Sequence, residues 1–231
     1  MYIYGKNPVE SAIENGYATK IIVQRGIKEL NNIIDQCKKK GISVDLADKS
    51  RLDSIVNAAH QGVIAKIRKF KYESQEKVLD YNRILVLDRI QDPHNFGALI
   101  RSAYAFNYQC IVIQEKNSVQ VTPAVIKVST GLVFKIPVIM VSNVKYVVDT
   151  LLENFYDIFV ADMGGKKIWE TNVAEKHCII LGNEGSGVRE ILKKRATQVV
   201  SIPMQPGIDS LNVSVSGAIL MYETYKQLCQ K

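Results

Sequence analysis

Apolar positions follow two different rhythms along this chain. In the front third, short strand-like and helix-like pieces alternate. Lys20-Ile21-Ile22-Val23-Gln24 predicts a strand. Residues 27–40 predict a helix, with Leu30, Ile33, Ile34 and Cys37 at helical spacing, and Gly41 stops it. Lys38, Lys39 and Lys40 suit the negative end of that helix. Residues 42–46 alternate as a strand should, 49–58 predict a second helix, and 62–67 another strand. These pieces predict a small α/β domain over residues 1–72. From Arg68 to Asp80 the chain is polar without an apolar period, and a linker is expected at 73–81.

Beyond Arg83 the apolar runs become continuous. Strands are expected at 84–87, 110–113, 158–161, 178–181 and 199–202. Helices are expected at 96–106, 144–154 and 212–228. Uninterrupted apolar strands separated by helices predict a parallel sheet covered on both faces, in a domain spanning 82–231.

Three segments of that domain carry candidate chemistry. Asn95-Phe96-Gly97-Ala98-Leu99-Ile100-Arg101 stands where the first of these strands gives way to a helix. Backbone amides at a helix start favour anions, although Asn is also an ordinary cap. Asn95 and Arg101 are six apart, so they converge only if Asn95 lies in the turn rather than the helix. Gly182-Asn183-Glu184-Gly185-Ser186-Gly187 is superficially a dinucleotide fingerprint, but it comes late and no acidic residue is placed to hold a ribose. Ile202-Pro203-Met204 and Ser210-Leu211-Asn212-Val213-Ser214-Val215-Ser216 precede and open the last helix, where Ser210 and Asn212 also read as caps.

Together these segments resemble the three motifs of the SpoU/TrmH family of RNA 2'-O-ribose methyltransferases, in order and spacing. Tyr4-Gly5-Lys6-Asn7-Pro8-Val9-Glu10 and His60-Gln61-Gly62-Val63 are similar to the two ends of the N-terminal domain in longer members. The likeness is strongest to the branch that methylates a guanosine of 23S large-subunit ribosomal RNA; transfer RNA is the alternative substrate. A non-catalytic RNA-binding protein of the same fold is the alternative class. The resemblance implies an α/β fold of SPOUT type, a parallel sheet with a C-terminal trefoil knot, preceded by a small L30e-like RNA-binding domain. It implies a homodimer through the C-terminal domain and S-adenosylmethionine as cofactor, held by Gly182, Gly185, Ile202, Met204 and Leu211. It makes Arg101 the catalytic arginine, with Asn95, Glu184, Ser210 and Asn212 orienting it and the ribose. Arginine is almost never neutral, so stabilising a developing alkoxide suits Arg101 better than acting as a base. Gly131-Leu132-Val133-Phe134 departs from the family's pattern, in which that glycine is followed by Ala and, two later, an acidic residue. His94 reads as an exposed loop histidine.

Charge sharpens this division of labour. Residues 1–72 hold 13 Lys/Arg against 7 Asp/Glu, whereas the remaining 159 hold 17 against 16. A basic front and a near-neutral back point to a polyanion at the front. The C-terminal part is expected to fold alone from about Asn82. Cys37, Cys110, Cys178 and Cys229 form no metal-type pair, so no metal is expected. No apolar run reaches membrane-spanning length and the opening lacks a secretory apolar region, so a cytoplasmic protein is expected, with no membrane partner.

Overall fold

A computed structural model describes residues 1–208 and 210–230. The first elements are β1 (Tyr2–Tyr4), α1 (Lys6–Glu14), β2 (Ala18–Gln24), α2 (Asn31–Lys39), β3 (Ser43–Ala47), α3 (Lys49–Ile55) and β4 (Val63–Ile67). Then come β5 (Arg83–Asp88), α4 (Pro93–Ala105), β6 (Cys110–Gln114), α5 (Pro123–Val128), β7 (Val138–Val141) and α6 (Val144–Glu153). The last are β8 (Asp157–Lys167), β9 (His177–Gly182), α7 (Glu190–Lys193), β10 (Gln198–Ser201) and α8 (Val213–Cys229). Among the described residues no helix is long and apolar enough to cross a membrane.

The chain forms two compact units. The first comprises Met1–Lys71 and Val121–Lys135. Its sheet has the order β1-β4-β2-β3, with β4 antiparallel to both neighbours and β2 parallel to β3. Neither β1 nor α1 was anticipated from the pattern. A three-residue strand shows no period, but α1 does carry Val9, Ala12 and Ile13 at helical spacing, all buried.

The sequence pattern drew 82–231 as one unbroken domain, yet Val121–Lys135 belongs to the first unit. Gly131 explains part of this. At φ +82° it lies so close to α1 that a Cβ would meet Ser11 Cβ at 2.7 Å and the Pro8 Cα at 3.0 Å. Ser11 Oγ donates to its carbonyl at 2.7 Å. Phe134 joins Tyr17 and Phe70 in an aromatic cluster, and Val125, Ile126 and Val133 are buried. A chain starting at Asn82 would strip these residues of their cover. We expect such a truncation to bind hydrophobic dyes and aggregate on size-exclusion chromatography, whereas a clean, cooperative unfolding transition would show that the segment finds other partners.

The second unit comprises Tyr72–Gln120 and Ile136–Lys231, as far as described. Its six strands are all parallel, in the order β10-β8-β9-β5-β6-β7. Alternation sends Ile84 and Val86 to a core shared with Val144, Val147, Val148 and Leu151 of α6. On the other face α4 packs against α8, and α8 against β9. Gly217 permits that contact, since a Cβ there would meet Leu99 Cδ2 at 2.5 Å and Leu181 Cδ1 at 2.6 Å. So this small residue of the last helix serves packing within the chain. The stretch expected as a linker is packed as well. A 3-10 turn over Gln75–Asp80 sinks Val78 into the core, and Glu73 N–H donates to Val138 O at 2.9 Å. β7, a run of four apolar residues, is a strand that the sequence reading did not include.

A polar network is buried at the entry end of β9. His177 Nδ1–H donates to the Ala174 carbonyl at 2.8 Å, which leaves Nε2 to accept from Tyr108 Oη at 3.0 Å. Thr224 Oγ1 lies 2.9 Å from that hydroxyl. Burial pushes His177 down to about 4. Its folded value lies below its unfolded value near 6.5, so the unfolded chain takes up the proton first as pH falls. The stabilisation is complete above pH 6.5 and is lost progressively between 6.5 and 4. We expect about 2 kcal/mol to be lost by pH 5. Urea unfolding at pH 7 and pH 5 measures this, and His177→Gln should flatten the difference.

Candidate active site

In an open parallel sheet, ligands bind beyond the carboxyl ends of the strands, where the strand order reverses. Here the chain runs from β5 through β6 to β7, and the later strands fill the other side, so β5 and β9 are neighbours at the reversal. Asp88 and Gly182 are register partners at the ends of those two strands. The first two candidate motifs therefore emerge side by side.

The first motif enters α4. Asp92 is the N-cap, accepting from His94 N–H at 2.9 Å, and Pro93 occupies the first helical position. Asn95 is thus inside the first turn and not in the loop before it. It is buried, whereas Arg101 is exposed. Six residues are about 1.7 turns, which puts the two on different faces. His94 is exposed at the helix start.

Asn95, Glu184 and Asn212 do come together. Asn212 caps α8, its Oδ1 accepting from Ser214 N–H at 2.9 Å and Val215 N–H at 3.4 Å. Since backbone donors fix that oxygen, Nδ2 must point the other way, and it donates to Asn95 Oδ1 at 2.9 Å. Asn95 Nδ2 in turn donates to Glu184 Oε1 at 2.8 Å. A helix cap thus sets the direction of a three-residue relay ending on a carboxylate. Arg101 and Ser210 are not part of it. Neither side chain makes a hydrogen bond or ion pair among the described residues.

The loop bearing Glu184 is fastened at several points. Asn183 Oδ1 accepts from Gly185 N–H at 3.0 Å and Ser186 N–H at 3.2 Å, and its Nδ2 donates to Arg89 O at 3.1 Å and Glu184 Oε2 at 3.3 Å. Arg189 N–H and Nε donate to the fully buried Asp88 carboxylate at 3.0 and 2.8 Å, and Nη2 to Gln114 Oε1 at 2.9 Å. Neither Asn183 nor Arg189 was singled out in the sequence, although Asn183 stands inside the second motif and Asp88 closes a predicted strand. Gly182 has its own constraint. A Cβ there would lie 2.1 Å from the Gly187 carbonyl carbon. Gly185 has no such neighbour, its closest atom being Asn183 Oδ1 at 3.6 Å.

Beside the relay lies a cleft of about 380 Å³, within the range of small-molecule sites. Gly182, Gly185, Ile202, Met204 and Leu211 all line it, as do Glu184 and Ser210. Leu181, Val200, Val213 and Leu220 add apolar wall, and Ala161–Met163 contribute a side that the sequence did not suggest. That side exists because β8 bulges: Val199 pairs with Val160, but Val200 pairs with Lys166. Asp162 in the bulge pairs with Lys193 of α7. An apolar cleft edged by loop backbone suits a cofactor with a flat heterocycle, and the carboxylate of Glu184, which unlike that of Asp162 has no basic side chain paired with it among the described residues, suits a polar or cationic group.

Residues 82–222 match the model of the SpoU rRNA Methylase family, and residues 2–73 that of RNA 2'-O ribose methyltransferase substrate binding. A protein of Staphylococcus epidermidis that carries the name TrmH family tRNA/rRNA methyltransferase is 33% identical, over 97% of this chain and 95% of its own length. Among solved structures, an RNA 2'-O ribose methyltransferase is 26% identical with a TM-score of 0.79, covering 99% of this chain and 89% of that one. The SpoU methyltransferase AviRb of Streptomyces viridochromogenes, in complex with AdoMet, shares the fold, with a TM-score of 0.86 at 19% identity over 100% of this chain and 91% of that one.

Proposed function

This chain belongs to the SpoU rRNA methylase family, and we propose that it transfers a methyl group from S-adenosylmethionine to a ribose 2'-hydroxyl of RNA. The observation that carries this reading is the relay from Asn212 through Asn95 to Glu184 at the mouth of an apolar cleft. Gly182, Gly185, Ile202, Met204 and Leu211 hold the cofactor there. When bound, it supplies an electrophilic methyl on sulfur. The transfer forms one O–CH3 bond, breaks one S–CH3 bond and releases the hydroxyl proton. The relay presents the Glu184 carboxylate in one orientation, so it can fix the ribose without rearranging. The Ser210 hydroxyl has no partner among the described residues and can bond the sugar. Arg101 stabilises the alkoxide as it develops, and a substrate phosphate takes the proton.

Our first assignment of target is a guanosine of 23S ribosomal RNA. The basic residues 1–72, which match the substrate-binding model, support a folded RNA. We read that domain as L30e-like and the C-terminal segment as threaded into a trefoil knot. The meeting of residues 161–163, 181–187, 200–204 and 210–220 around one cleft supports the knot. Such an RNA target places the protein in the cytoplasm.

We also propose a homodimer through α4 and α8. α8 is apolar on both sides, and only one side is covered within the chain. Val215 and Tyr222 stay exposed on the other, with Phe106 edge-on to Tyr222 at 5.6 Å, and Tyr104 stays exposed on α4.

The test is methylation of transcribed 23S ribosomal RNA and of transfer RNA transcripts with methyl-labelled S-adenosylmethionine, followed by nucleoside mapping. We expect 2'-O-methylguanosine in the 23S transcript. Label in transfer RNA alone would overturn the ribosomal assignment, and label on a base would overturn the ribose.

A further inference from the structure

Arg89 sits where its conformation argues against it. It follows Asp88 at the end of β5 and has φ +64°, a left-handed value that favours glycine. A non-glycine residue held there invites the question of what its side chain does.

Within the protein it does little. Nη2 donates to Ser186 Oγ at 3.2 Å. Nε is buried without a hydrogen bond. The nearest carboxylate oxygen, Asp88 Oδ1, is 3.7 Å away and already carries Arg189 at 2.8 Å. Nη1 has no acceptor among the described residues, and it is not among the buried unpartnered atoms, so it reaches solvent. The side chain is 27% exposed. Meanwhile Asn183 Nδ2 holds the Arg89 carbonyl, so the guanidinium is carried by a clamped backbone.

Its position gives that charge a use. Arg89 lies in the loop that leads into Asn95 and touches the loop that carries Glu184. An RNA ribose is flanked by a phosphate on each side, and arginine is the side chain best shaped for phosphate.

We propose that Arg89 grips a backbone phosphate of the RNA next to the methylated ribose. This rests on the reading of Asn95, Glu184 and Asn212 as the acceptor side of the site. The contact positions the strand and carries no base information.

Arg89→Gly and Arg89→Gln test it. The glycine variant relieves the left-handed residue, so its thermal midpoint should equal or exceed that of the native protein. The glutamine variant keeps a donor for Ser186 and removes the charge. The probe is whichever of the two transcripts, 23S or transfer RNA, the native protein methylates. Both variants should raise the RNA KM about tenfold and make the salt dependence of RNA affinity shallower by about one phosphate contact. Their affinity for S-adenosylmethionine should stay within about twofold of native, because Arg89 is not among the residues lining the cleft. Unchanged RNA affinity and salt slope would overturn the proposal. So would a loss of cofactor affinity with the RNA KM unchanged, since Arg89 would then only shape the loop. If the native protein methylates neither transcript, the functional reading itself fails.

Discussion

Gly182→Ala is expected to unfold the loop over residues 183–188 and to weaken S-adenosylmethionine binding at least a hundredfold. The added Cβ would stand 2.1 Å from Gly187 C, 2.2 Å from Val188 N and 2.4 Å from Gly187 O. These are backbone atoms, which cannot swing aside as the end of a side chain can. The loop has no slack either. Gly187 N–H donates to Asn183 O at 2.9 Å, and beyond Val188 the chain is anchored by Arg189 on Asp88. Loosening that anchor would leave a buried carboxylate without its partner, which costs about 3–5 kcal/mol. So the cheaper response is for the loop to detach from β9, at a cost of about 3 kcal/mol. Gly185→Ala provides the contrast. Nothing in the protein is closer than 3.6 Å, so its thermal midpoint should hold and any loss of cofactor affinity would come from the cofactor itself. Differential scanning calorimetry and titration with S-adenosylmethionine separate the two. A Gly182→Ala protein with a native midpoint would show that the loop yields where it is drawn tight.

Those two glycines show how far the sequence could be read. Both stand in one motif, and its pattern assigns them one task. Only the path of the chain distinguishes them, because the neighbour that crowds Gly182 lies five residues on, in a loop whose course no local pattern records. Asn95 teaches the same lesson. Its type and motif were legible, but the cap at Asp92 had to be placed before its face of α4 could be known. The central strands β5, β6 and β9 were plain because fully buried strands leave continuous apolar runs. β1 was not, since a strand of three residues has no period to detect, whereas β7, Val138–Val141, is itself a short apolar run that was not among the expected strands. The least legible feature was Val121–Lys135. Its apolar residues belong by pattern to the alternation around them, and only Gly131 and Phe134, in contact with α1, Tyr17 and Phe70, assign the segment elsewhere.

Arg101→Ala is expected to lower turnover about a hundred- to a thousandfold, the effect of losing one electrostatic stabiliser at the reacting oxygen. Its thermal midpoint and cofactor affinity should stay close to native. The side chain is exposed and unpartnered among the described residues, so the fold loses nothing when it goes. Arg101→Lys should fail too, since a point charge does not replace the planar fork. A harder question is which site Arg101 serves. It lies on a different face of α4 from Asn95, outside the relay that Asn95 forms with Glu184 and Asn212. α4 itself packs on α8, whose outer side displays exposed apolar residues. If that surface is where two copies meet, Arg101 reaches the partner's relay and not its own. Mixing Arg101→Ala with Glu184→Ala decides this. Each variant alone should be nearly inactive. A mixed dimer would contain one complete site, with Glu184 from the first chain and Arg101 from the second, so random exchange of subunits should restore about one quarter of native activity. Arginine acting within its own chain would restore none, because neither variant then holds both groups. Turnover measured before and after the subunits are exchanged distinguishes the two arrangements, and a flat result would return Arg101 to its own chain, where α4 would have to rotate for it to reach Glu184.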